Sequence, residues 1–280
     1  EAKRAAGKSV PWDLPMTGIL SVTLRRKVGR KFGGRIKAMV SGGAPLNPDV
    51  GLFFQAMGIT MLQGYGQTEA GPVISCNRPK RGIRMDTVGP PMMNTEVRIA
   101  EDGEIMIRGE QVMHGYWRNP DETARVLQDG WLASGDVGHR DDKGRIVITD
   151  RKKDLIINDK GDNVSPQRVE GMLTLQPEIA QAMVHGDRHP YLVGLLVPEA
   201  EFANEPDLQQ RLSAAVDRVN KELSVVEKVR RFILADEPFS VDNEQMTPSL
   251  KIRRHVIRAA YGERLDALYK KTASALAGRE

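Results

Sequence analysis

RIKAMVSGGAPLNPDVGLFFQAMGITMLQGYGQTEAGP, residues 35–72, is the stretch that decides how this chain is built. Residues 35–40 read as a short apolar strand that runs into the turn Ser41-Gly42-Gly43-Ala44-Pro45. Asn47 followed by Pro48 reads as a helix N-cap with proline at the first helical position, where an N–H would have no intrahelical partner anyway. Val50, Phe53, Phe54 and Met57 recur at helical spacing and predict the buried face of that helix, with Gly58 ending it. Residues 59–62 read as the next strand, which feeds directly into Gly64-Tyr65-Gly66-Gln67-Thr68-Glu69. Strand, glycine turn, helix, strand, glycine turn is a βαβ-like order, and α/β sheets bind ligands outside the carboxyl ends of their strands.

Working outward, residues 87–150 change character. Short segments at 96–99 and 104–108 flank the turn Asp102-Gly103, with Ile105 and Ile107 on one face of the second. Residues 119–128 predict a short helix capped by Asn119, with Pro120 next and Glu122 completing an approximate capping box. Asp142-Lys143-Gly144 predicts a hairpin turn before a strand at 145–149. The pattern is that of a small β-rich subdomain.

From about residue 152 a second unit is expected. Ser165-Pro166 opens a helix with Val169, Met172 and Leu173 inward, stopped by Pro177. Apolar strands at 182–185 and 192–197 flank the turn Gly186-Asp187-Arg188-His189-Pro190. Leu208, Leu212, Val216, Val219 and Leu223 repeat at helical spacing, and a strand near 232–234 and a basic terminal helix complete an α+β domain.

Composition narrows the class. The chain has 280 residues, 40% hydrophobic and 28% charged, enough to bury a sizeable core. No apolar run approaches the ~20 residues needed to span a bilayer, and the start of the chain lacks the apolar core of a secretory signal. One cysteine, Cys76, excludes an internal disulfide and suits a reducing compartment, so a cytoplasmic location is expected. The net charge of +4 is unevenly placed: residues 1–34 hold eight Lys or Arg against Glu1 and Asp13. Such patches suit phosphates or an anionic membrane surface, and peripheral membrane contact is left open. Only Trp12 and Phe32 interleave with those charges, which argues against nucleic acid. His114, His139, His185, His189 and His255 show no metal-ligand spacing, so no transition metal is expected.

The glycine segments carry the chemistry. Glycines let a backbone approach a phosphate or base closely. Tyr65 offers a flat face for adenine, Thr68 a hydroxyl for a phosphate oxygen, and Glu69 an oxygen ligand for Mg²⁺. Together with Ser41-Gly42-Gly43-Ala44-Pro45, the segment Gly64–Glu69 resembles the adenylate-forming family, which includes acyl-CoA synthetases, luciferases and peptide-synthetase adenylation domains. The resemblance implies that Gly43, Ala44 and Pro45 line the adenine pocket and that Gln63 and Tyr65 contact the base. It implies further that Gly64 and Gly66 belong to the nucleotide loop, that Thr68 meets the phosphate and that Glu69 holds the metal.

Later motifs extend the resemblance. In Gly130-Trp131-Leu132-Ala133-Ser134-Gly135-Asp136, Asp136 takes the place of the aspartate that accepts hydrogen bonds from the ribose hydroxyls. Asp150-Arg151-Lys152-Lys153-Asp154-Leu155-Ile156 resembles the interdomain hinge, with Arg151 on the nucleotide and Lys153 as pivot. Gly161 matches a glycine of the CoA pantetheine path. Met246-Thr247-Pro248-Ser249-Leu250-Lys251 resembles the segment of the catalytic lysine, Lys251, which would stabilise charge on the carboxylate and α-phosphate. Many members carry glycine immediately before that lysine, where this chain has Leu250. The wording of residues 150–156 and 163–166 is most similar to long-chain fatty acyl-CoA synthetases.

The fold expected is therefore α/β: residues 1–151 as the C-terminal part of a large nucleotide- and acyl-binding domain, including a β-rich subdomain at about 87–150, then residues 152–280 as a small mobile α+β domain. The activity implied is an AMP-forming acid–thiol ligase acting on a fatty or other carboxylic acid, ATP and CoA, with Mg²⁺. No Ser/Thr/Gly-rich phosphate loop with a lysine precedes the Gly-Ala-Pro turn, so a truncated chain with little adenylation activity alone is expected. Open sheet edges in its first half are expected to favour self-association, including a homodimer. An aryl-acid or luciferase-like member, or a nucleotide-binding module without catalysis, are the alternative readings.

Overall fold

The computed structural model describes residues 21–277, and the basic positions Lys3, Arg4 and Lys8 lie outside them. The chain divides into two compact units, residues 1–152 and residues 153–280. No helix among the described residues is long and apolar enough to cross a membrane.

In the first unit, a short helix α1 (Arg26–Lys31) precedes strand β1 (Met39–Ser41), helix α2 (Pro48–Ala56) and strand β2 (Met61–Tyr65). β1 and β2 pair in parallel, Ser41 opposite Gln63, and the hairpin partner β3 (Ser75–Cys76) runs antiparallel to β2. The helix is capped as its sequence dictates: Asn47 Oδ1 accepts the Asp49 amide at 2.8 Å, and Gly58 follows the last turn at φ 86°. Two expectations need correction. The first strand spans only 39–41, because Pro45 and the glycines end it while the polar residues before it remain outside the pairing. Phe53 is exposed, and Leu52 and Phe54 pack instead around Ile59, Met61 and Met85; the closest-packed position on that face is Gly51, against the Met85 side chain.

The β-rich part follows its alternation closely. β4 (Glu96–Ile99), β5 (Glu104–Arg108), helix α3 (Pro120–Val126), β6 (Leu127–Gln128), β7 (Trp131–Arg140) and β8 (Ile146–Arg151) follow in order, with sheet order β4-β5-β7-β6 and β8 on β7. Ile105 and Ile107 are fully buried on one face, with Val97, Leu132 and Ile146 around them. Trp131 lies between the guanidinium groups of Arg98 and Arg108, 4.3 and 4.5 Å from the ring centroid. Asn119 caps α3 through the Glu122 amide, but Glu122 turns its carboxylate to Arg125, so the reciprocal half of a capping box is not made. β8 runs two residues beyond the expected strand, because Asp136 and Val137 of β7 pair with Arg151 and Asp150.

In the second unit, β9 (Ile156–Ile157) and β10 (Asn163–Val164) form a small hairpin before helix α4 (Pro166–Leu173). β11 (Ile179–His185), β12 (Leu192–Pro198), helix α5 (Leu208–Asn220), β13 (Val229–Leu234) and helix α6 (Arg254–Ala277) complete it. The central sheet runs β11-β12-β13. Its strands read as continuous apolar runs because both faces are covered. Ala182, Val184, Leu192 and Leu196 meet α4 and α5, whereas Met183, Val193, Leu195 and Val197 meet Ile257, Tyr261 and Leu265 of α6.

One buried pair locks these layers. Glu170 of α4 accepts the Val184 amide at 2.8 Å and receives both terminal nitrogens of Arg254, the first residue of α6. Removing one partner of a buried ion pair strands the other. Glu170→Ala is therefore expected to destabilise this unit by about 3–5 kcal/mol, read from hydrogen exchange of the β11 amides in the full chain.

Candidate active site

The parallel pairing of β1 and β2 sets their two glycine turns side by side. A Cβ added at Gly42 would stand 3.3 Å from the Gly64 carbonyl oxygen, so a side chain there would press the two turns apart by a few tenths of an ångström. Gly43 adopts φ 81°, and Gly43, Ala44 and Pro45 are exposed. Gly66 is forced for a different reason: an added Cβ would lie 1.7 Å from the Pro72 carbonyl oxygen.

Beyond these turns, three of the motif residues meet. Tyr65 is buried at the end of β2, and its hydroxyl donates to Asp136 Oδ2 at 2.6 Å. Arg151, opposite Asp136 in the β7–β8 ladder, brings its Nε to 3.1 Å from Oδ1. Asp136 is 4% exposed, and the Ser134 hydroxyl accepts its amide at 3.1 Å. Burial, and then the Asp136 charge, push the Tyr65 phenol well above its usual range, so it stays a hydrogen donor. Next to it, Gly135 donates its amide to Glu104, and Lys152 pairs with Glu104 and Asp102, at 2.8 and 2.6 Å.

Thr68 is exposed at the start of a single helical turn, and Glu69 is partly buried behind it. Glu69 Oε1 accepts the Tyr116 hydroxyl at 2.9 Å, and a concavity lined by His114, Tyr116, Arg118, Asn119 and Thr123 lies alongside. A carboxylate beside a hydroxyl is an all-oxygen donor set that fits Mg²⁺, which takes one or two carboxylates and leaves its other positions to water and phosphate. Gln63 is brought beside the turns, but its amide nitrogen points at the Leu46 and Met85 carbonyls, 3.5 and 3.4 Å away. Tyr116 and Glu104 belong to none of the sequence motifs. Neither lies in a recognisable spacing, and only the fold brings them to Glu69 and Gly135.

The remaining motif residues belong to the second unit. Lys153 is its first residue and is exposed. Gly161, at φ 87°, turns the β9–β10 hairpin, where Asn158 Oδ1 accepts the amides of Lys160 and Asp162. Lys251 is exposed on a loop closed by Thr247, whose hydroxyl accepts the Lys251 amide at 3.1 Å. Leu250 stands at φ 59°, the left-handed conformation in which glycine is at ease. The backbone thus keeps a glycine-like bend although the residue is leucine.

The two kinds of glycine predict two sizes of effect. Gly43→Ala meets no neighbour and is expected to cost only the conformational penalty of about 1–2 kcal/mol. Gly66→Ala drives a methyl into backbone and should cost at least the upper end of the about 1–3 kcal/mol seen for overpacking. Urea unfolding of the two variants checks the order.

A family model described as AMP-binding enzyme matches residues 15–117, and one described as AMP-binding enzyme C-terminal domain matches residues 153–273. The long-chain-fatty-acid–CoA ligase FadD15 of Mycobacterium tuberculosis is 36% identical over 267 residues, covering 88% of this chain and 44% of that protein. Its Mycobacterium bovis counterpart is 35% identical over 265 residues, again with 44% of its length covered. The chain thus spans less than half the length of these curated relatives. Among solved structures, the adenylation domain of a carboxylate reductase from Mycobacterium chelonae superposes with a TM-score of 0.75 at 27% identity, covering 95% of this chain and 44% of that one. The adenylation and carrier didomain of the Segniliparus rugosus carboxylic acid reductase, in complex with AMP, also gives 0.75, at 26% identity with 99% and 40% covered. With both family models in chain order and an adenylation-domain fold, the chain belongs to the family of AMP-binding, adenylate-forming enzymes.

Proposed function

We propose that this chain carries the adenylate-handling residues of an AMP-forming acid–thiol ligase, which activates a long-chain fatty acid with ATP and transfers the acyl group to CoA. The observation that carries the reading is the cluster of buried Tyr65 and Asp136 with half-exposed Arg151. An ionised carboxylate held by a phenol and a guanidinium keeps lone pairs to accept from a ribose diol. The family supports adenylate binding, and the names of the curated relatives support the long-chain acid.

In the reaction proposed, a carboxylate oxygen of the acid attacks the α-phosphorus of ATP, the bond to pyrophosphate breaks, and acyl-AMP forms. The sulfur of CoA then attacks the acyl carbon, the bond to AMP breaks, and the thioester leaves. Gly43, Ala44, Pro45 and Tyr65 bound the base, Asp136 holds ribose, Arg151 balances its charge and reaches the nucleotide, and Thr68 donates to the α-phosphate. Glu69 would hold Mg²⁺, which neutralises phosphate charge when bound. Lys251 supplies a compact positive charge to the oxygens on which negative charge builds during adenylation. Lys153 is the position about which the second unit turns between the two half-reactions, and Gly161 bends the hairpin that guides pantetheine.

Calorimetric titration of AMP into the chain tests the core of this reading. The unaltered protein is expected to bind AMP, and Asp136→Asn, which keeps an acceptor for Tyr65, is expected to bind at least tenfold more weakly. Equal affinity in the two proteins sinks the ribose assignment. In a protein that also carries the Ser/Thr/Gly-rich phosphate loop, Lys251→Ala should leave AMP affinity unchanged and lower acyl-adenylate formation by about 10²-fold, the size of losing one preorganised charge-stabilising donor; pyrophosphate release with a long-chain acid measures it. AMP binding with no pyrophosphate release even when the phosphate loop is supplied would favour the non-catalytic nucleotide-binding reading.

A further inference from the structure

A second cluster of ligating side chains lies in the second unit, where the turn that carries it is hydrogen-bonded to the β9–β10 hairpin. His185 ends β11, His189 sits in the turn that follows, and Asp266 projects from α6. Both imidazole Nε2 atoms face the same carboxylate oxygen, Asp266 Oδ1, at 3.1 Å from His185 and 3.5 Å from His189, and the three ligand atoms lie within 4.8 Å of one another. Spacing along the chain does not single these histidines out as ligands, because the carboxylate that completes the set, Asp266, is far along the sequence.

We propose that His185, His189 and Asp266 form a binding site for a divalent first-row transition ion of the Zn²⁺ class, which clips the end of β11 to α6. Ligand bonds of about 2.0–2.1 Å in a tetrahedral site place neighbouring donor atoms about 3.3–3.4 Å apart. The two distances to Asp266 Oδ1 straddle that edge length. Two imidazoles and a carboxylate are also the donor set that zinc accepts with a fourth position left to water, whereas Mg²⁺ and Ca²⁺ prefer oxygen alone.

The surroundings hold these donors in place. His189 stacks on Tyr269 with centroids 3.7 Å apart and planes within 2°. The Tyr269 hydroxyl lies 3.1 Å from the His185 carbonyl and 3.0 Å from that of Tyr191, so one aromatic residue fixes the strand end, the turn and the helix together. Arg188, at φ 60° in the turn, donates its amide to the Ile157 carbonyl at 2.7 Å and keeps the turn folded back. His185 is 5% exposed in its side chain, His189 29% and Asp266 50%, so the cluster is anchored inside and open to an entering ion on one side.

The test is titration of ZnCl₂ into the chelator-treated full chain, with Co²⁺ absorption as a second readout. Saturable binding of one ion at micromolar or tighter dissociation constant, an intense visible Co²⁺ band of tetrahedral type, and a rise in melting temperature with Zn²⁺ are expected. His189→Ala and Asp266→Asn, both at partly exposed positions, should each weaken Zn²⁺ binding at least tenfold while leaving the circular dichroism spectrum unchanged. His139→Ala, at an exposed histidine of the first unit, should leave the affinity as it was. Absence of saturable binding, or binding that survives both His189→Ala and Asp266→Asn, overturns the proposal.

Discussion

A buried carboxylate is tolerated only where its charge is answered, and in the first unit that constraint falls on Asp136. Its two oxygens are divided between the Tyr65 hydroxyl and the Arg151 guanidinium. Tyr65 belongs to the small parallel pair and Arg151 to the β-rich sheet, so satisfying one carboxylate joins the two sheets of the unit. The same residue stands where the glycine turns open, so the interaction that joins the sheets also prepares an acceptor for a diol. Structure and proposed function draw on one local charge.

The turns themselves are shaped by how little space their backbones occupy. Parallel pairing of β1 and β2 brings Gly42 against the Gly64 carbonyl, and the return of the chain toward β3 brings Pro72 against Gly66. A side chain at Gly66 would unseat the segment that follows, and one at Gly42 would press on the neighbouring turn. Sparse side chains leave backbone exposed at the strand ends, which is the chemistry a phosphate or a purine edge requires.

The second unit is organised by a different rule. Its sheet is apolar on both faces, so helices must cover both, and Glu170 with Arg254 ties the covering layers at their edge. The Lys251 loop precedes Arg254 directly, so the bidentate pair also fixes one end of that loop. Leu250 keeps a left-handed bend in which glycine would be at ease, because the hydrogen bonds between Thr247 and Lys251 close the loop around it.

Local signals in the sequence determined most of the elements. Caps at Asn47, Asn119 and Ser165, the alternation around Ile105 and Ile107, and the uniformly apolar runs at 192–197 act over a few residues, where backbone geometry alone relates one position to the next. The motif order determined the family for the same reason, since each glycine turn is read without its partners. Only the tertiary structure decided which face of α2 is buried, leaving Phe53 outside, and that β8 runs on to Arg151. It alone set the Tyr65 hydroxyl on Asp136, Tyr116 on Glu69, and Asp266 against His185 and His189. Those contacts join residues far apart in the chain, and no periodicity within a strand or a helix carries information about a partner that only folding brings within reach.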